Sequence, residues 1–246
     1  DKEFLLNAVY DTPKYELFTA SKFLAYKFCP IYYNLIYEYS YQKLFTFLSN
    51  KYNYQDYSKE DEIEINTDAL RIGVVCHEIL ASKFDNNNLS GIIKEKVEKQ
   101  LLPINETKKL ILDVENLLIP FINSEQYKEI DSFNFYYSEF EINKVVENYY
   151  FTGIIDRMII EKDKIIIVDF KTNKVDEENI KDKIQYYLPQ LKYYAFLVGS
   201  YFGWEKEIYM KLMFLSYPEY NDVIKIEKLE AESLLLELKQ VINNIR

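Results

Sequence analysis

Two aspartates and a lysine are the residues whose types and spacing point most directly to chemistry. They lie in the stretch Thr152-Gly-Ile-Ile-Asp156-Arg-Met-Ile-Ile-Glu-Lys-Asp-Lys-Ile-Ile-Ile-Val-Asp169-Phe-Lys171. Two β-branched runs flank a polar turn, Glu161 to Lys164. A two- or four-residue loop centred between Lys162 and Asp163 opposes residues whose numbers add to 325, Asp156 and Asp169 among them. Their Cβ atoms would then stand about 4.5–5.5 Å apart on one face. A three-residue turn would shift the parity and remove the argument. Like charges directly opposite destabilise a sheet, and a hard divalent cation such as Mg²⁺ or Mn²⁺ relieves the repulsion. Lys171 follows Asp169 by two residues, so strand alternation puts it on the same face. A metal there can polarise a phosphoryl oxygen and activate water, while an ammonium stabilises charge growing on phosphorus. That chemistry is phosphodiester hydrolysis. The bland alternative, two solvated aspartates on an exposed face, runs against the depletion of Asp from strand interiors.

The elements that must hold these groups change character near residue 130. Before it, apolar positions recur at helical spacing, and helices are expected around 19–28, 31–49, 67–84, 89–100 and 105–123. Thr19 or Ser21 could cap the first, and Pro30 separates the first from the second. The polar stretch from Tyr52 to Asn66 reads as a loop. After residue 130 come strands around 133–142, 148–160 and 164–171, and a helix around 186–202. Strands near 206–216 and 222–228 and a helix from about 230 complete an α/β or α+β arrangement. No repeat with a 20–50-residue period is present.

The chain has 246 residues, 48% of them hydrophobic, enough for a substantial core. No apolar run reaches the ~18 residues of a membrane span, and the first residues carry no long apolar leader core. Two cysteines, Cys29 and Cys76, cannot build a disulfide framework, so a reducing, cytoplasmic setting is the default. The single histidine, His77, excludes a multi-histidine cage. A net charge of −10 repels nucleic acid overall, so a role on DNA must rest on a local site, a metal or a partner. No phosphate-cradling Gly-x-x-x-x-Gly-Lys occurs, which excludes an ATPase of the P-loop type. The chain opens on Asp1 and its first Met is Met158, which reads as a domain cut from a longer polypeptide.

Gly153-Ile-Ile-Asp156 followed by Val168-Asp169-Phe170-Lys171-Thr172 resembles the core of the PD-(D/E)XK nucleases. More narrowly, the chain resembles the RecB/AddA branch, the nuclease domain of helicase-nucleases that process DNA ends. Gly73-Val-Val-Cys-His77 resembles that branch's helical Gly-x-x-x-His motif. Tyr187-Leu-Pro-Gln190-Leu191-Lys-Tyr-Tyr194-Ala195 resembles its Tyr-x-x-Gln-Leu-x-x-Tyr-Ala motif. The stretch from Thr19 to Pro30 resembles its N-terminal segment, so the likeness runs from about residue 18 to about 200. Asp-x-Lys alone is a weak motif; four pieces in the right order are specific.

The resemblance implies a restriction-endonuclease-like α/β core, a central mixed β-sheet flanked by helices with an N-terminal helical portion. It implies a single nuclease domain over 1–246, with 1–130 mainly helical and carrying His77, and 131–246 holding the sheet. Asp156, Asp169 and Lys171 would be catalytic. Asp156, Asp169, His77 and the backbone carbonyl of Phe170 would ligate Mg²⁺ or Mn²⁺. Tyr187, Gln190 and Tyr194 would line the site and touch DNA. Gln190 and Tyr194 are four apart and share a helical face, as do Tyr187 and Leu191, and Pro189 is expected near the helix N-terminus. Each has a plainer reading: His77 follows the apolar Val74-Val75-Cys76 as a core histidine would, and Gln190 and Tyr194 could be packing groups. Glu139, on the strand before the hairpin, could ligate the metal or stand just behind a ligand, although alternation alone would expose a glutamate there. Some members of the branch hold an iron–sulfur cluster on four cysteines; with Cys29 and Cys76 alone, no cluster is expected here.

The implied function is a metal-dependent DNA nuclease, an exonuclease domain acting in double-strand-break repair. Its partners would be single-stranded DNA or DNA ends and a helicase domain on the same polypeptide, with a second nuclease/helicase subunit left open and no membrane. The alternatives are a non-cleaving DNA-binding or scaffolding module, which should lack the lysine or an aspartate, and a stand-alone nuclease of the same family.

Overall fold

The run Ile165–Val168 is apolar on both sides because the strand it builds is covered on both faces. The computed structural model describes residues 16–38, 67–147, 149–220 and 222–245. Its strands are β1 (Glu16–Thr19), β2 (Tyr136–Val146), β3 (Tyr149–Ile160), β4 (Lys164–Lys171), β5 (Glu207–Phe214) and β6 (Val223–Ile226). Its helices are α1 (Ala20–Phe28), α2 (Pro30–Tyr33), α3 (Thr67–Ala81), α4 (Leu89–Glu98), α5 (Ile104–Asn123), α6 (Glu125–Asp131), α7 (Ile180–Phe202) and α8 (Lys228–Ile245). A π-helical turn, Asn34–Glu38, continues α2, and a 3₁₀ turn, Asn86–Asn88, precedes α4.

The six strands form one mixed sheet in the order β1-β3-β4-β5-β6, with β2 paired to β3. The β1–β3 and β4–β5 pairs are parallel; β2–β3, β3–β4 and β5–β6 are antiparallel. One face packs Phe151, Ile155, Ile165 and Ile167 against Phe23 of α1, Leu191 and Leu197 of α7 and Leu238 of α8. The other packs Ile159, Val168 and Phe170 against Val75 and Ile79 of α3, Ile93 of α4, Val114 and Phe121 of α5 and Tyr127 of α6. This is the α/β architecture expected from the alternation of patterns.

β3 has an uneven set of neighbours. β2 lines one edge almost throughout, while the other is shared by β1 at residues 149–152 and β4 at 157–160. Between those two stretches the sheet forks. The alternation of β3 slips there too: Ile155 and Met158 face the α7 side together, whereas Ile159 faces the α3 side. Opposite the fork, Glu139 of β2 drops out of the ladder with φ 48°.

The structure differs from the expected elements in several places. Strand β1 is absent from the sequence pattern; four residues carry too little periodicity, and β3 supplies its partners. Thr19, which ends β1, caps α1 by accepting a hydrogen bond from Lys22 N–H at 3.2 Å. Helix α6 is a second addition; it is a seven-residue helix capped by Ser124, whose hydroxyl accepts from Tyr127 N–H at 3.2 Å. Helix α7 begins at Ile180 rather than near 186, because polar residues at its start hide the apolar period. Pro189 therefore lies well inside α7 and not at its N-terminus. It costs the helix the bond to Gln185 O, and the buried neighbours Tyr187, Leu191 and Tyr194 hold the helix together across it. The helix expected over 31–49 is described only to Glu38; its remainder and the polar stretch 52–66 lie outside the described residues.

Candidate active site

Glu161 N–H donates to Lys164 O at 2.9 Å, closing the tight turn between β3 and β4. The ladder runs from Ile160↔Ile165 to Arg157↔Val168, so opposed residues carry the expected numbers. Pairing stops at Arg157, one step before Asp156 and Asp169, because the sheet forks there. Phe170 N–H is left without a strand partner across the fork and donates to Asp156 Oδ2 at 2.7 Å. The aspartate side chain thus takes the place of the missing ladder bond.

Helix α3 reaches the fork from one layer. Gly73 and His77 lie one turn apart, and a Cβ on Gly73 would stand 3.5 Å from Thr172 Oγ1, just past β4. His77 Nδ1 sits 3.3 Å from Asp156 Oδ1. Desolvation lowers the His77 pKa, but the Asp156 contact and the charges of Asp156 and Asp169 outweigh it, leaving it above the ordinary 6.5. Glu139 completes this side. One ligand atom from each of His77, Glu139 and Asp156 falls within 4.8 Å of the others. Burial first, and the Asp156 charge second, raise the Glu139 pKa.

Helix α7 reaches the fork from the other layer. Asp169 is nearly buried, and Lys171 Nζ stands 2.8 Å from its Oδ2. The two form a largely buried ion pair. Desolvation pushes the Asp169 pKa up, Lys171 pulls it down, and Asp156 adds to the rise; the net direction is upward. Lys171 donates to Gln190 Oε1 at 3.1 Å and lies 4.4 Å from the centre of the Tyr187 ring. Gln190 Nε2 donates to Tyr194 OH at 3.1 Å, and Tyr187 OH donates to Asn173 Oδ1 at 2.8 Å. Burial holds the Tyr194 phenol well above its usual range, so it stays a neutral partner.

The fork therefore brings His77, Glu139 and Asp156 together on one side and Asp169, Lys171 and Gln190 together on the other. Gln190, Tyr194 and Tyr187 surround the lysine directly. The Phe170 ring lies in the core beneath α5, 5.9 Å from the Phe121 ring, while its backbone N–H faces the site. One imidazole nitrogen and two carboxylates, with the buried, ion-paired Asp169 carboxylate across the fork, make a donor set that suits a hard divalent cation. Glu139 was the residue least legible in sequence. Its number pairs with Asp156 only in the β2–β3 register, and that register depends on the turn after Val146.

The sequence profile of the PD-(D/E)XK nuclease superfamily matches residues 18–246. A segment of 82 residues, 33% of the chain, is 32% identical to an ATP-dependent helicase/nuclease subunit of Clostridium acetobutylicum. Another of 135 residues, 51% of the chain, is 30% identical to the like-named protein of Clostridioides difficile strain 630. These matches occupy 6% and 10% of the two relatives, so the chain spans only a small part of their length. A crystal structure of a protein from Eubacterium rectale, provisionally assigned as an exonuclease, superposes with a TM-score of 0.53 at 13% identity. That likeness covers 95% of this chain and 80% of the other, and it concerns the fold.

Proposed function

The chain belongs to the PD-(D/E)XK nuclease superfamily, and from that premise we propose that it is a divalent-metal-dependent nuclease hydrolysing phosphodiester bonds in DNA. The observation that carries this reading is the donor cluster of His77, Glu139 and Asp156 at the fork, beside the buried Asp169–Lys171 ion pair. His77, Asp156 and Asp169 would hold Mg²⁺ or Mn²⁺, with Glu139 and the Phe170 carbonyl as further oxygen donors. When bound, such an ion polarises a phosphoryl oxygen and lowers the pKa of water. Lys171, fixed by Asp169, Gln190 and the Tyr187 face, presents its ammonium to the charge that grows on the phosphate. Residues 1–246 act as one nuclease domain, with His77 delivered by the helical portion.

The similarity to helicase/nuclease subunits supports a finer reading: an exonuclease domain joined to a helicase on one polypeptide, processing DNA ends in double-strand-break repair in the cytoplasm. A net charge of −10 fits a domain that borrows its hold on DNA from a motor. No described helix is long and apolar enough to cross a membrane. The test is degradation of end-labelled single-stranded DNA by the purified chain. Cleavage is expected with Mg²⁺ or Mn²⁺ and should stop on chelation; intact DNA under every metal condition overturns the reading.

A further inference from the structure

Arg157 follows Asp156 directly and turns into the layer of α3 to α6. It is 1% exposed, among the most deeply buried side chains described. Its guanidinium lies 4.4 Å from the centre of the Tyr136 ring, with the Tyr127 and Phe170 rings at 5.5 and 5.6 Å. Nη1 stands 3.4 Å from Asp131 Oδ1 on α6, and Nη2 donates to Leu80 O at 2.9 Å. Leu80 belongs to the last turn of α3, three residues after His77.

That carbonyl is one of the four at a helix C-terminus that lack an intrahelical N–H. Helix α3 carries no basic residue in its own last turn. Ser82, through its N–H and hydroxyl, serves Ile79 O. The sheet supplies the cation for Leu80, where the helix dipole favours positive charge. Burying a guanidinium with one half-exposed carboxylate partner and an unpartnered Nε is costly. An apolar side chain could fill the same space without that cost, but it could not hold the carbonyl.

We propose that Arg157 is the positioning residue that sets His77 against Asp156. Its backbone is continuous with Asp156, and its side chain grips the end of the helix that carries His77. The two groups then share one rigid connection, although 79 positions of sequence separate them. The metal-binding consequence rests on the nuclease reading; the placement of His77 does not.

Lys211 provides a matched control. It is also buried, lies on β5 beside Val168 in the same row of the sheet, and pairs with Glu129 of α6 at 3.1 Å. The variants Arg157→Met and Lys211→Met remove one buried cation each, and thermal unfolding compares their cost. His77 is the only histidine, so the imidazole nitrogen resonances of the whole chain report it without assignment. Arg157→Met should move the Nδ1 resonance away from its hydrogen-bonded position and weaken Mn²⁺ uptake, read by electron paramagnetic resonance, about tenfold or more. Lys211→Met should leave both unchanged. If Arg157→Met does not fold, Arg157→Lys is read instead and should move both in the same direction, since one ammonium cannot reproduce the planar fork. Equal effects of the two sites, or an unmoved His77 resonance in the Arg157 variants, overturn the proposal. Absence of Mn²⁺ uptake by the unaltered chain removes the metal reading, and the His77 resonance then decides the Arg157 proposal alone.

Discussion

The ring of Tyr194 occupies the space that a side chain on Gly153 would need. A Cβ built on Gly153 would fall 2.9 Å from Tyr194 Cε1 and 3.1 Å from Leu197 Cδ1. The missing side chain lets α7 settle against β3 three residues before Asp156. From there Tyr194 holds Gln190, and Gln190 holds Lys171.

Gly153→Ala should therefore act through Lys171. The added methyl displaces the Tyr194 ring, and a shift of ~1 Å at a catalytic group can cost about a hundredfold in rate. We expect kcat to fall by that order, with a stability loss of about 1–3 kcal/mol from overpacking. Initial-rate assays and denaturant unfolding of the same preparation check both. A wild-type rate would show that Tyr194 does not place the lysine.

Lys171→Met should remove cleavage while the chain stays folded. The ammonium stands 2.8 Å from the buried Asp169 Oδ2, and loss of one such stabilising donor costs about 10²–10³ in rate. The variant should keep its circular-dichroism spectrum, and its residual activity should stay at or below the hundredth part. Cleavage at the original rate would sink the proposed role.

His77 should titrate above 6.5 in the metal-free chain, since the carboxylates of Asp156 and Asp169 outweigh its desolvation. A folded pKa above the unfolded one means that this contact stabilises fully below pH 6.5. Its contribution fades as pH climbs through the raised value. Metal uptake runs the other way, because a ligating imidazole must be neutral; Mn²⁺ affinity should drop as pH falls through the same value. The single histidine resonance and a Mn²⁺ titration at several pH values test the two signs together.

Tyr193→Phe should weaken the join between β1 and β3. The buried Tyr193 hydroxyl lies 2.7 Å from Phe18 O and 3.1 Å from Thr152 O, one carbonyl on each strand. Its loss leaves buried acceptors short of a donor and should cost about 1–3 kcal/mol. Urea unfolding measures it; an unchanged midpoint would mean that water replaces the phenol.

Sequence alone pointed to the β3–β4 register, because an even-numbered turn centred between Lys162 and Asp163 leaves one parity for every residue that follows, and the ladder has that parity. It determined that Lys171 accompanies Asp169, since alternation acts over two residues. It also determined most helices, whose apolar period repeats within each segment. Elements too short to repeat a pattern, β1 and α6, escaped it, and the polar residues at the start of α7 hid where that helix begins.

Tertiary structure alone decided how the pieces meet. Asp156 turns to Phe170 N–H because β1 and β4 share one edge of β3 and part beside it. Glu139 joins His77 because β2 lies on the opposite edge and its chain turns left-handed there. Arg157 grips Leu80 across 77 positions of sequence. Local rules reach only a few residues along the chain. Contacts between distant segments follow from how two apolar layers close over one forked sheet, and no short stretch of sequence carries that information.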